Sequence, residues 1–225
     1  PDMPDEYKVK FANRYEVYTI GKDVGIPFEE LSANDLVSLL KASSSSLTEN
    51  MDTAVMQLFN RTGETLQTFK EKIYVLCEVL EDKPRWERRF DDISQLEGEE
   101  KRKMERKKQI FDEYGDKTNY AAVKGIQWRL NRLIGFQIFN NGTREVLESL
   151  KARKLVVIRG SIEHLKLFFS FILKKIYDIR RAYIDAKSQG TNEDKEYFPP
   201  FITVLDEAHN FAPKAIEAPT KPVLK

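Results

Sequence analysis

The spacing of apolar residues changes twice along the chain. Up to about residue 20, aromatic and β-branched residues alternate with polar ones, first at Tyr7, Val9 and Phe11 and then at Tyr15, Val17, Tyr18 and Ile20. That alternation predicts two short strands. Gly21, Gly25 and Pro27 punctuate the chain. Ser32 then offers a hydroxyl to cap a helix that has Asp35 three residues on and Leu36, Leu39 and Leu40 on one face. From about Thr48 to about Leu150 the apolar spacing is mostly three and four residues, as in Leu66, Phe69, Ile73, Leu76 and Leu80 and later in Trp128, Leu130, Leu133 and Ile134. One helix after another is expected. Turn chemistry at Gly63, Pro84, Gly115 and Asn140-Asn141-Gly142 separates them.

The second change comes at Lys154. Leu155, Val156, Val157 and Ile158 run together without a polar break, as in a strand buried on both faces of a parallel sheet. A long helix follows, with Ile162, Leu165, Phe169, Ile172, Ile176, Ile179 and Tyr183 on one stripe and Leu167, Phe168, Phe171 and Leu173 broadening its first half. After the polar loop Ser188–Glu196 and Pro199-Pro200, the run Phe201–Leu205 predicts a second buried strand, parallel to the first in a βαβ unit. The fold class expected is therefore α/β. A parallel sheet is formed from the two ends of the chain, residues 1–30 and 153–225, around a helical insertion at 31–152.

Composition narrows the chemistry. The 225 residues include 37 Lys and Arg against 36 Asp and Glu, so the densely charged surface has almost no net sign. A strongly basic polyanion-coating domain is disfavoured. Cys77 alone cannot form an internal disulfide, which fits a reducing, cytoplasmic setting. His164 and His209 are too few for a multi-histidine metal centre. No apolar run approaches the roughly 18 residues of a membrane span, and Pro1–Glu6 has no secretory character. The Asn-x-Thr triplets at Asn60 and Asn141 read as chance matches.

The most informative feature is Asp206-Glu207 at the end of the second apolar run. In open α/β sheets, ligands sit beyond the carboxyl ends of strands. There an acid can hold hydrated Mg²⁺ against nucleotide phosphates while its neighbour orients the attacking water. Acids also begin loops simply because they are soluble, so spacing alone leaves both readings open. The basic clusters between Arg85 and Lys108, with Lys124, Arg129 and Arg132, can contact DNA phosphates. Their interleaved acids equally describe a solvated face of i, i+4 pairs. Aromatic residues fall mostly at core spacing, and no stacking platform is expected.

The residues around the acidic pair add a resemblance. Val204-Leu205-Asp206-Glu207-Ala208-His209-Asn210-Phe211-Ala212-Pro213 resembles the Walker B segment of HerA-type ATPases, hexameric DNA-translocating motors related to FtsK. DEAH-box helicases share the Asp-Glu-Ala-His tetrad but usually continue Glu-Arg, whereas here Asn-Phe-Ala-Pro follows. Ile26–Ser32, Asp35-Leu36 and Leu47–Asn50 look like the beginning of that family's helical insertion, and Lys154–Ser161 like the strand before its long helix. The resemblance implies a partial P-loop NTPase fold of RecA-like type, with ATP and Mg²⁺ as cofactors. It also implies a homo-oligomeric, six-membered ring on double-stranded DNA in end processing or repair, a NurA-type nuclease as companion, and no membrane. Asp206 would then hold Mg²⁺ and Glu207 would be the catalytic base. His209 and Asn210 would couple the γ-phosphate to a neighbouring subunit or to DNA, although a surface histidine at 209 fits the residues as well. His164 reads as structural.

One part of that machinery is missing. A phosphate-binding Gly-x-x-x-x-Gly-Lys-Ser/Thr loop is absent, and Gly21-Lys22-Asp23 does not match it. The expectation is an internal piece of a longer motor that alone hydrolyses ATP hardly at all. The alternative is a catalytically inactive helical interaction or assembly module on an NTPase-like scaffold.

Overall fold

The computed structural model of the chain describes residues 12–43, 47–59, 63–191 and 197–206. Contacts divide the chain into two compact units. One is Phe28–Gly135, and the other joins Pro1–Pro27 to Phe136–Lys225.

The first unit is helical: α1 (Ala33–Ser43), α2 (Glu49–Leu58), α3 (Leu66–Glu81), α4 (Lys83–Asp91), α5 (Gly98–Tyr114) and α6 (Tyr120–Gly135). Local chemistry starts several of them. The Ser32 hydroxyl accepts the Asp35 amide at 3.2 Å while the Asp35 carboxylate accepts the Ser32 amide at 3.0 Å, so two otherwise orphaned donors are satisfied. Thr65 and Thr68 repeat the arrangement at α3. Asp82 caps α4, with Pro84 in the first turn where a missing N–H removes no helical bond. α3 lies against α5 and α6, and α1 and α2 close on α6. Val55, Leu58, Phe69, Ile73, Leu76, Ile126 and Leu130 are fully buried. The rings of Phe28, Phe59 and Phe69 meet in a triangle 5.7–5.9 Å on a side.

This core also contains a charge pair. The Lys72 ammonium donates to Glu64 at 2.5 Å and to the Leu58 carbonyl at 2.9 Å, and it lies 5.1 Å from the Tyr114 ring centroid. Thr68 donates to the other Glu64 oxygen at 2.6 Å. With both charges buried and hydrogen-bonded, the pair ties the end of α2 to α3.

The second unit contains β1 (Tyr15–Thr19), α7 (Arg144–Lys151), β2 (Leu155–Arg159) and α8 (Ile162–Ser188). The strands are parallel, with Tyr15 opposite Leu155 and Thr19 opposite Arg159. The Tyr18 hydroxyl lies 2.8 Å from Ser149 Oγ and donates to the Glu145 carbonyl, which ties α7 to the sheet. After β1 the chain folds tightly on itself. Gly21, at φ +81°, donates to the Val24 carbonyl, and the Asp23 amide donates to the Thr19 carbonyl. Glycine is required at residue 25 for a different reason, since an added Cβ would lie 1.9 Å from the Asn140 carbonyl oxygen. There the Gly25 and Ile26 amides donate to the carbonyls of Gly142 and Ile138. Asn141 donates its side-chain amide to the Lys22 carbonyl and takes a left-handed φ of +62°.

The architecture is α/β, mostly helical with a small two-stranded parallel sheet. Three expectations change. Phe201–Leu205 is not a sheet strand: it is extended, with Ile202 92% and Val204 86% exposed, so the expected βαβ pairing does not form among the described residues. An apolar run becomes a buried strand only where neighbouring strands and covering helices exist, and among the described residues neither encloses it. For the same reason β2 is half-buried rather than buried on both faces, with Leu155 59% exposed. On α8 the most buried residues are Leu167, Phe168 and Ile172, while Leu165 and Phe169 of the expected core stripe are half-exposed. The strand expected at Tyr7–Phe11 lies outside the described residues.

Candidate functional site

The segment carrying Asp206 is positioned from α8. Arg180 donates to the Phe198 carbonyl, and its guanidinium lies 5.7 Å from the Tyr183 ring and 5.9 Å from the Tyr197 ring. Tyr183 and Tyr197 also meet edge-on at 5.3 Å. Phe198 is fully buried and Pro199 is buried. This clip holds the start of the segment against the helix and sends residues 201–206 outward. Asp206 follows at an exposed turn.

Between this segment, β2, α7 and α8 lies a cavity of about 560 Å³. Its wall is mainly apolar, from Val156 and Ile158 of β2, Leu165, Phe169 and Ile172 of α8, and Leu205. Asp206 and Arg159 are the charged residues that line it. Gly160 joins β2 to α8, whose first turn is capped by Ser161, the Oγ accepting the His164 amide at 3.3 Å. His164 itself packs on the Phe136 ring with centroids 5.0 Å apart, a structural contact. Glu163 beside it keeps its carboxyl below the usual range, chiefly through a hydrogen bond from its own backbone amide at the helix start.

Glu207, His209 and Asn210 lie outside the described residues, so Asp206 is the one expected site residue with a described place. Its carboxylate is a hard oxygen donor of the kind Mg²⁺ takes, one or two at a time with the remaining positions held by water and phosphate. The described donor set thus fits a largely hydrated Mg²⁺ through Asp206 and supplies no cradle for phosphates. Among the described residues, no three His, Cys, Asp or Glu side chains gather as a metal site. The Gly21-Lys22 turn is no substitute cradle, because the amides of residues 21–24 are engaged with the carbonyls of Thr19 and Val24.

Compared with known families, residues 2–176 match the model described as the central domain of the helicase HerA. The chain belongs to the HerA central-domain family. The HerA match covers β1, the whole helical unit, β2 and the first half of α8, and it ends before Asp206. No curated protein and no solved structure gives a match. Family membership places the chain with ATPases of the HerA/FtsK type. Among the described residues, no helix is long and apolar enough to cross a membrane.

Four basic residues of α4 and α5 pair with acids: Lys103 with Glu99 at 2.7 Å, Arg106 with Glu71 at 3.2 Å, Lys107 with Glu78 at 2.7 Å, and Lys83 with Asp116 at 3.4 Å. The Arg106 guanidinium is held charged even more firmly than usual by its hydrogen bonds to Glu71. These four residues fit the solvated, paired face. On α6 the aromatic Trp128, expected among the helix's apolar residues, is 57% exposed, and Tyr74 of α3 is 38% exposed. The signal was present in the order Lys124, Trp128, Arg132, where the indole stands at the spacing of exposed cations rather than of the buried Ile126 and Leu130.

Proposed function

We propose that this chain supplies the helical subdomain and Walker B segment of an ATP-driven DNA translocase or helicase of HerA type. In this reading a homo-oligomeric ring, six-membered by family resemblance, moves on double-stranded DNA in the cytoplasm during end processing or repair, with a NurA-type nuclease as companion. Residues 1–30 and 153–225 belong to a RecA-like P-loop NTPase core, and residues 31–152 are its helical insertion. Membership in the HerA central-domain family is the observation that carries the reading. The exposed turn that carries Asp206, on the cavity beside β2, supports it.

The residues divide the work. Asp206 holds Mg²⁺, which when bound with ATP withdraws charge from the phosphates. Glu207 takes a proton from the attacking water, and adjacent residues leaving an extended segment point apart, so the two carboxylates serve different atoms. His209 and Asn210, just beyond, report the γ-phosphate to a neighbouring subunit or to DNA. The Arg180 clip and the buried Phe198 fix where this segment leaves α8.

The test is ATP hydrolysis by the native protein in Mg²⁺, comparing wild type with Glu207→Gln. Turnover is expected to fall at least a hundred-fold, since a general base contributes roughly 10²–10⁴-fold, while ATP binding persists. Unchanged turnover would remove Glu207 from the mechanism. An absence of both binding and turnover in the wild type would favour the inactive assembly module instead.

A further inference from the structure

Arg180 and Arg181 are neighbours on α8 with different surroundings. Arg181 lies 3.5 Å from Asp185 and donates to the Tyr177 hydroxyl at 3.3 Å, with its side chain 64% exposed. Such a solvated pair contributes little to holding a chain in place. Arg180 instead donates to the Phe198 carbonyl, and its guanidinium lies 5.7 Å from the Tyr183 ring and 5.9 Å from the Tyr197 ring. A planar guanidinium can donate to a carbonyl and stack on rings at the same time, so these contacts fix its direction. The two rings brace each other edge-on at 5.3 Å.

The residues after Phe198 carry that direction onward. Phe198 is fully buried and is followed by Pro199 and Pro200. Each proline locks its own φ at about −65° and holds the residue before it extended. Phe198, Pro199 and Pro200 are thereby stiff, and the path set at the Phe198 carbonyl reaches Phe201 without a flexible link. From Phe201 the chain runs along the cavity beside β2 to Asp206. The other end of α8 begins just after Gly160, which lines the same cavity. One helix therefore ties both walls, β2 at its first turn and the Asp206 segment through Arg180. The family match ends at residue 176, so Arg180, Tyr183, Tyr197 and Phe198 lie outside it.

We propose that Arg180 is a positioning residue, which through the Phe198 carbonyl and the two prolines sets the direction in which the Asp206 carboxylate meets Mg²⁺. The assignment rests on the ATPase reading, with Asp206 as the Mg²⁺ ligand. Arg180 is not among the residues that line the cavity, so its loss should misplace the carboxylate without removing it. A misplacement of about 1 Å costs up to about a hundred-fold in rate.

Two measurements on the native protein test it, and the first needs no nucleotide. Chymotrypsin cuts after aromatic residues, and the clip immobilises the bond between half-exposed Tyr197 and enclosed Phe198. Cleavage there should be about ten-fold faster in Arg180→Ala than in wild type, because proteolysis follows local opening. It should be intermediate in Arg180→Lys, which keeps the charge and loses the fork. The second measurement is the Mg²⁺ concentration that gives half-maximal ATP turnover. This should rise about ten-fold in Arg180→Ala and recover in part in Arg180→Lys. A variant that only folded less well would lower maximal turnover at an unchanged Mg²⁺ midpoint, and that result overturns the proposal. Equal cleavage after Tyr197 in all three proteins overturns it too. Absence of turnover in the wild type removes the ATPase reading and this assignment with it, whereas wild-type turnover with an unmoved midpoint in Arg180→Ala removes the role of Arg180 alone.

Discussion

The two units treat their apolar residues differently. In the helical unit Phe28, Phe69, Ile73 and Ile126 are fully enclosed, with even the Lys72 ammonium brought inside and paired. The sheet unit leaves a cavity of about 560 Å³ beside β2 and exposes Ile202 and Val204. A bundle of amphipathic helices can close on itself, because each helix satisfies its own backbone and needs only a neighbour for its apolar stripe. A strand needs neighbours for its backbone as well as its side chains. The contrast leaves the candidate chemistry in the more open of the two units, where a ligand has room to enter.

The largest expected effect sets one phenylalanine against another. Phe69→Ala should destabilise the helical unit by about 3–5 kcal/mol, because the ring is enclosed and its removal leaves a hole. Phe169→Ala removes the same atoms from a wall that already faces a cavity and should cost about 1–2 kcal/mol, within or below the transfer value for a partly buried ring. Denaturant titrations of both variants check the difference, and equal losses would erase the contrast between the units.

Lys72→Met should cost about 3 kcal/mol, since it strands the Glu64 carboxylate in the core. Adding Glu64→Gln should recover part of that loss. A Lys72→Met variant as stable as the wild type would show that Glu64 reaches water. Gly25→Ala should cost about 2 kcal/mol by forcing residues 25 and 140 apart, and amide exchange should rise at Ile26, which bonds Ile138.

The smallest effect is chemical. Burial pushes the Cys77 thiol up to about 11, so at pH 8 it should react with a disulfide reagent far more slowly in the folded chain than in denaturant. The sign for stability follows. The unfolded thiol releases its proton near 9.0 and the folded one near 11, so above pH 9 the unfolded state holds fewer protons and stability falls as pH rises. Fast labelling at pH 8 would mean that the helical unit opens readily.

Much of this was legible because helices announce themselves locally. The three-and-four spacing marked α3 and α8, and Ser32 with Asp35 marked the start of α1. Leu155–Ile158 likewise marked β2. What escaped depends on partners distant in sequence. Phe201–Leu205 has a strand's composition but no ladder around it among the described residues, and nothing in its own residues reports that. Glu64 and Lys72 look like surface charges until α3 meets the end of α2, when Lys72 reaches the Leu58 carbonyl. Trp128 looks like core until α6 is seen to turn the indole outward. Of the candidate site, the family likeness and the position of Asp206 after an apolar run were readable. The cavity and the Arg180 clip arise only from the packing of α7, α8 and β2.

The account stands most directly on Mg²⁺-dependent ATP hydrolysis by the native protein, measured for wild type, Asp206→Asn and Glu207→Gln side by side. The predicted result is turnover in the wild type, loss of Mg²⁺ response in Asp206→Asn, and ATP bound without turnover in Glu207→Gln. Wild-type turnover undiminished in both variants would contradict it.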